Sequence, residues 1–451
     1  MDLRRKLYWI TLLYFAEGFP FGIAYKVWPV YFRLHGVSLA DIGLMSLLFL
    51  PYTIKAAWAP FVDRYGTRQI WITTAELALA GITVALLVLD PSSTHWILWV
   101  VLLAFTLASA TQDIAIDGYA VDVATPADSG PINGARVASY RAALLASGGL
   151  MLILADDLPW RVLWVGVAVL FVAMAVVTFV SPRVARERPT ARMTQANEFW
   201  TARAVLLVLA AALLYTAYRK EWGALWITLA VVAGTLFVAS FLDATVLRWA
   251  LRAEMVPVLL FGLLYKLGDN SMGRMIEPFW VDKGLSPKEI GWISSTLGVA
   301  LTITGALLGG WYIKRRGIFR ALLWFGVAQL VSNFGYVAVA AFERLPRESI
   351  YGASVVESFT QGLGTAAFLS FLMNLCDREH AATQFALLTA TFSLGRDVAG
   401  AFSGIGAERL GYDIYFLITA LLALPGLLLL PAVRRRIREE GETLAPAEAA
   451  A

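Results

Sequence analysis

The chain has 451 residues; 59% are hydrophobic and 16% are charged, where about 25% charged is ordinary for a soluble domain. That balance excludes a water-soluble globular protein of this length and excludes disorder. Cys376 is the single cysteine, and His35, His95 and His380 lie far apart. Neither a disulfide framework nor a metal site of familiar ligand spacing can be read from them. The composition is that of an all-α, multi-pass integral membrane protein.

A membrane helix needs about 20 mostly apolar residues. The chain offers fourteen candidates, at 7–33, 40–62, 69–90, 95–121, 135–155, 160–181, 203–218, 222–242, 255–281, 288–312, 319–342, 350–375, 382–407 and 411–433. The first carries Glu17 and Lys26 and runs long before any small-residue cleavage site, so it reads as a helix and not as a cleaved leader. With the N-terminus in the cytoplasm, 22 Lys and Arg residues fall on the inner side, 9 on the outer side and six within spans. The bias predicts both termini inside. It also assigns the basic character to topology and not to nucleic-acid binding.

The chain repeats itself. Trp28–Gly43 reads WPVYFRLHGVSLADIG and Glu277–Gly291 reads EPFWVDKGLSPKEIG. Pro29 and Pro278 are 249 apart, and Gly36 with Gly284 and Gly43 with Gly291 are each 248 apart. Two related six-helix bundles are expected, a plan common among secondary transporters. They are residues 1–182 and 255–438. Between them, 183–254 holds a cytoplasmic basic loop and two extra helices, and 439–451 is a cytoplasmic tail.

Ionisable side chains in a span cost at least about 2.5–3.5 kcal/mol at the helix centre and usually face one another or a wet cavity. Glu17, Lys26, Lys55, Asp113, Asp117, Arg141, Lys266, Asp269, Arg274, Glu277, Glu357 and Arg396 all fall in predicted spans. One reading is a set of fixed salt bridges; the other is a hydrated path. Asp113 and Asp117 are four apart on one helix face, beside Gln112. Two carboxylates this close in hydrocarbon cannot both keep their charge cheaply, so the pair is the candidate for proton coupling; the alternative is that Asp117 or Asp122, near the cytoplasmic end, merely binds Arg136 or Arg141. Lys266, Asp269 and Asn270 form a second polar stripe; Lys266 can receive an anion or simply pair with Asp269. Arg396 carries a guanidinium fork suited to a carboxylate, and Arg141 is a third cationic candidate. In the loop DRYGTR, Gly66 allows a tight turn between Asp63, Arg64 and Arg68, the makings of a gating latch.

Five segments together resemble a known family: QDIAIDGYAVD (112–122), LYKLGD (264–269), GALLGGWYIKRRGIFRALLWFGVAQLVSNFGY (305–336), ESFTQGLGTAAFLSFLMNLC (357–376) and ATQFALLTATFSLGR (382–396). They are similar to AmpG-type muropeptide permeases, of the peptide/acetyl-coenzyme-A transporter branch of the major facilitator superfamily. The resemblance runs through the first six helices and, more densely, through 255–431. It implies the major facilitator fold, a location in the inner membrane, no enzymatic activity, and proton-driven import of anhydro-muropeptides with no cofactor beyond the proton gradient. It also implies that the segments holding Asp113, Asp117, Lys266 and Asp269 line the central cavity. The expected partners are an anionic sugar-peptide and membrane lipids. The alternatives are the same fold carrying a siderophore or a coenzyme-A ester and, more remotely, a membrane enzyme or sensor.

Overall fold

The computed structural model describes residues 2–55, 58–92, 96–123, 129–182, 255–342, 344–375 and 381–434. The loop and helix pair expected within 183–254, and the tail at 439–451, lie outside the described residues.

Helices α1 (Leu3–Leu34), α2 (Leu39–Ile54), α3 (Ala59–Arg64), α4 (Arg68–Val88), α5 (Trp96–Val123), α6 (Ser129–Leu154) and α7 (Trp160–Phe179) make up the N-terminal part. They are followed by α8 (Val256–Tyr265), α9 (Leu267–Asp282), α10 (Pro287–Arg316), α11 (Ile318–Ala341), α12 (Glu348–Leu375), α13 (Ala381–Leu421) and α14 (Leu424–Val433). Among the described residues, eight helices are long and apolar enough to cross a membrane. Their outer faces are apolar: Val88 is 83% exposed, Leu428 78% and Leu307 71%. Such faces need lipid, because water would solvate them poorly.

Two predicted spans differ from the structure. The span at 40–62 is broken: α2 tightens into a 3₁₀ stretch at Met45–Phe49 just ahead of Pro51, and α3 starts with Pro60 in its first turn. The span at 255–281 breaks at Lys266, whose φ of −106° and ψ of 1° leave the helical region. The break expected at 407–411 is present as a kink within α13 at Gly411, whose φ of +79° and ψ of 159° are not helical; only glycine tolerates that conformation without strain.

Packing divides the chain into two compact units, Met1–Leu242 with Val281–Ser295 and Asp243–Trp280 with Thr296–Ala451. The first is built on a cluster that includes Ile10, Tyr14, Ile72, Ile116 and Tyr119. The second is built on Phe261, Tyr265, Phe325, Phe368, Phe371 and Leu430. Helices α1, α6 and α10 each contain a wide π-helical turn, at Ile23–Val27, Leu145–Leu150 and Gly291–Leu297. Such turns re-aim side chains and are common near functional sites.

Small residues set the helix separations, as they do in lipid, where apolar burial gives little drive between helices. A side chain at Gly18 would strike Ala143 and the Tyr140 carbonyl at 2.9 Å, and one at Gly22 would strike Ser147. Glycine thus seats α1 on α6. In the second unit, Gly305 of α10 lies against the Phe359 carbonyl of α12, while Gly362 of α12 lies against the Thr302 carbonyl of α10. Both neighbours are backbone and cannot swing away. Gly305→Ala and Gly362→Ala should each lower the Tm of the solubilised protein, through an overpacking cost of about 1–3 kcal/mol. Gly310→Ala, on the same helix with nothing within 4 Å, should not. Equal Tm values for all three would show that the two helices are not seated backbone to backbone.

Candidate functional site

The first unit gathers its ionisable residues from four helices. Lys55, just past α2, reaches α5 and places its ammonium 2.6 Å from Asp113 and 3.3 Å from Asp117. Arg136 of α6 approaches the other oxygen of Asp117 at 2.8 Å, and the Tyr14 hydroxyl donates to that same oxygen at 2.8 Å. The Arg136 guanidinium also sits over the Tyr14 ring, 4.8 Å from its centre. Glu17, one turn after Tyr14, is buried, and its carboxylate oxygens lie within 4.8 Å of those of Asp113 and Asp117. The predicted i,i+4 pair on α5 is thus the core of a five-member charge cluster.

Gln112 is fully buried beside it. Its amide donates to the Ala16 carbonyl at 3.3 Å and to Glu76 Oε1 at 3.2 Å, so in this structure it ties α1, α4 and α5 together. Thr178 of α7 donates to the same Glu76 oxygen at 3.2 Å. Sequence reasoning missed Glu76, although an acid in the middle of the span TTAELALAG is the same signal that singled out Glu17. It also left Tyr14 among the aromatics, whereas the pairing of Asp117 with Arg136 that it offered as an alternative is present. Arg141 is exposed on α6, and Lys26 lies within the π-helical turn of α1, its ammonium 5.4 Å from the centre of the Tyr25 ring.

The loop between α3 and α4 is anchored at several points. Gly66 takes a φ of +72°, Trp71 donates to the Tyr65 carbonyl at 2.5 Å, and the Thr67 hydroxyl caps α4 by accepting from Ile70 N. Arg68 reaches α5, where it pairs with Asp122 at 3.2 Å and lies over Gly118, where any Cβ would strike its guanidinium. The side chains of Asp63 and Arg64 lie outside the described part of the molecule.

The second unit carries two polar groups. At the α8–α9 break, Lys266 donates to Asp269 at 3.1 Å and to Gln329 of α11 at 2.9 Å, and Asn333 donates to the second oxygen of Asp269 at 3.2 Å. The Lys266 and Asp269 side chains are only 5% and 8% exposed. Asn270 is half-buried beside them; its backbone N–H returns to the Lys266 carbonyl at 3.0 Å. Gly364 of α12 packs directly on this group, where a Cβ would meet Gln329 and the Lys266 ammonium. On α13, the fully buried Asp397 accepts from Arg396 at 3.2 Å and has Arg274 of α9 at 3.9 Å. Glu277 and Glu357 are buried as well, and Ser358 reaches the latter at 3.5 Å. Gln329 and Asn333 were not foreseen; their polar side chains sit in a span apolar enough to hide them.

A family model for the major facilitator superfamily matches residues 10–268 and 258–451. The anhydromuropeptide permease of Escherichia coli (strain K12) is 30% identical over 437 residues, covering 95% of this chain and 79% of that protein. An uncharacterised protein of Haemophilus influenzae is 29% identical, covering 97% of both chains. The chain belongs to the major facilitator superfamily, in the AmpG-type permease family. Among solved structures, an auto-inhibited peptide transporter of the POT family superposes with a TM-score of 0.70 at 14% identity, covering 96% of this chain and 97% of that one. A POT family transporter in complex with 5-aminolevulinic acid gives 0.71 at 11% identity, covering 96% of each. At such identities these two speak for the fold alone. The family member described here is therefore a multi-pass membrane transporter and not an enzyme.

The Lys266–Asp269 pair can be told apart from a substrate contact by its energetics. Removing one partner of a buried pair leaves the other uncompensated and costs about 3–5 kcal/mol, whereas removing both is far cheaper. Lys266→Met should therefore lower the Tm strongly, and Lys266→Met with Asp269→Asn should restore most of it. If the single substitution leaves the Tm unchanged, the pair is not what holds α8, α9 and α11 together.

Proposed function

We propose that the protein imports anhydro-muropeptides across the cytoplasmic membrane by alternating access, driven by the proton gradient, with both termini in the cytoplasm. The identity to the Escherichia coli anhydromuropeptide permease over 95% of the chain carries the choice of substrate. The charge cluster of the first unit supports the choice of driving ion. Its carboxylates stand close to one another and to two cations, so adding or removing one proton changes which pairs are attractive. The excess of Lys and Arg on the assigned inner side supports the orientation. The membrane potential contributes about 2.3 kcal/mol per charge per 100 mV, ample to drive a proton and its passenger inward.

Anionic substrate groups call for cations that remain accessible. Arg141 is exposed on α6, and Arg396 is 25% exposed on α13; each is the substrate-facing candidate of its own unit. Lys266, closed in by Asp269 and Gln329, acts by holding the α8–α9 break in place. Gln112 acts likewise, through Glu76.

Labelled anhydro-muropeptide should accumulate in proteoliposomes when the outer solution is made acidic, and unlabelled anhydro-muropeptide should compete better than a siderophore or a coenzyme-A ester. Asp113→Asn and Asp117→Asn should each reduce proton-driven uptake by tenfold or more, given the about 1.4 kcal/mol per decade that the loss of a single charge-assisted contact readily exceeds. Uptake indifferent to the pH gradient in the unaltered protein would refute proton drive, and preference for another solute would refute the assigned cargo.

A further inference from the structure

The charge cluster of the first unit contains three acids, Glu17, Asp113 and Asp117, and two bases, Lys55 and Arg136. Both bases are committed. Lys55 bonds Asp113 and Asp117, and Arg136 bonds Asp117, which also accepts from Tyr14. Glu17 forms no ion pair among the described residues, is only 8% exposed, and its Oε2 meets no donor. Yet its carboxylate oxygens lie within 4.8 Å of those of Asp113. Two ionised carboxylates placed so close can form no hydrogen bond with each other, because each can only accept. A buried charge without a counter-ion is also strongly disfavoured. A single proton resolves both problems: it supplies the missing donor and cancels the surplus negative charge.

We propose that Glu17 and Asp113 share one proton, and that this α1–α5 pair is the site where the transported proton is loaded, Asp117 being the fixed ion-pair member. The assignment rests on the proton-driven reading above and moves the load from the two acids of α5 to one acid on each of two helices. The groups that act on Glu17 are Asp113 and Asp117 from α5, Lys55 beside α2 and Arg136 from α6. Tyr52 and Tyr140 also stand near it, and Tyr14 joins it on α1 through Asp117. Loading forms one O–H bond on the pair at the expense of a hydronium ion on one face of the membrane, and release returns that proton to water on the other; no electrons move. Loaded, the pair binds α1 to α5. Unloaded, its two carboxylates repel, with Lys55 held by only one of them. The proton thus acts on the contact between two helices, which a proton exchanged within α5 would not do.

The probe is the proton itself, read by infrared absorption of protonated carboxyl groups in the full-length protein at neutral pH, with exchange into D₂O to identify the bands. A protonated-carboxyl band should be present, should vanish in Glu17→Gln and in Asp113→Asn, and should survive in Asp117→Asn. Glu76 is buried with hydrogen bonds from Gln112 and Thr178 only, so Glu76→Gln sets apart any band of its own. Glu17→Asp, which keeps an acid at the position, should shift the band without removing it. A band that is unmoved in Glu17→Asp and retained in Glu17→Gln overturns the assignment, as does a band lost only in Asp117→Asn. Uptake of labelled anhydro-muropeptide separates the two readings. A flat pH profile in the unaltered protein with the band present sinks proton drive and leaves the shared proton. A steep profile in Glu17→Gln with the band retained sinks the shared proton and leaves proton drive.

Discussion

An ammonium or carboxylate enclosed by apolar helices must find its counterpart on another helix, and most of this architecture follows from that demand. Coulomb attraction at close range in a poorly screened medium is strong enough to decide which helices touch. Lys55 binds the end of α2 to α5, and Arg136 with Tyr14 binds α6 and α1 to the same face of α5. Glu76 performs the same service with neutral partners, drawing α4, α5 and α7 together through Gln112 and Thr178. In the second unit Lys266 and Asp269 recruit α11 through Gln329 and Asn333. Desolvation makes each group expensive alone, so a substitution at one partner is felt mainly through what it strands.

Glycine supplies the complementary half of the construction. Charged contacts specify which helices meet, and missing side chains allow them to meet at the required distance. Gly18 and Gly22 bring α1 close enough to α6 for Arg136 to reach past Tyr14 to α5. Gly118 makes room for the Arg68 guanidinium on its way to Asp122. Gly364 does the same above Lys266 and Gln329. In each case a polar link and a glycine occupy neighbouring turns, which is why neither the charges nor the small residues alone would explain the packing.

The sequence made the spans and the ionic inventory legible, and the pairing within that inventory much less so. Apolar length is a local property, so 69–90, 95–121 and 160–181 were readable within a few residues of α4, α5 and α7. Breaks depend on tertiary partners: α8 ends at Lys266 with that side chain turned toward Gln329, 63 residues away, and no local pattern announces this. Asp113 with Asp117, and Lys266 with Asp269, were visible because helical spacing places them on one face. Lys55 with Asp113 is separated by 58 residues and Glu76 with Thr178 by 102, so only the fold could match them. Glu76 itself needed no fold to be noticed. It was overlooked because a lone acid without a charged companion in its own span does not look like half of a pair, and its partners turned out to be an amide and a hydroxyl.

The internal repeat leaves a physical trace at the end of α1. Arg33 donates to both carboxylate oxygens of Asp282, at 2.6 and 2.7 Å, and the two residues are 249 apart, the same offset that relates Pro29 to Pro278. Asp282 lies in the segment Val281–Ser295, which packs within the first unit. These positions, equivalent by repetition, are therefore neighbours in space within that unit. Duplication by itself would place like residues there, and like charges at such a contact repel. Arginine at one position and aspartate at the other make the contact a bidentate pair, one of the stronger hydrogen-bonded arrangements available to side chains. With side chains 23% and 28% exposed, the pair remains within reach of water. It can therefore open at small cost, in contrast to Lys266 with Asp269, whose burial makes separation expensive. Exposure thus sorts the ion pairs of this fold into those that are costly to separate and those that are cheap to separate.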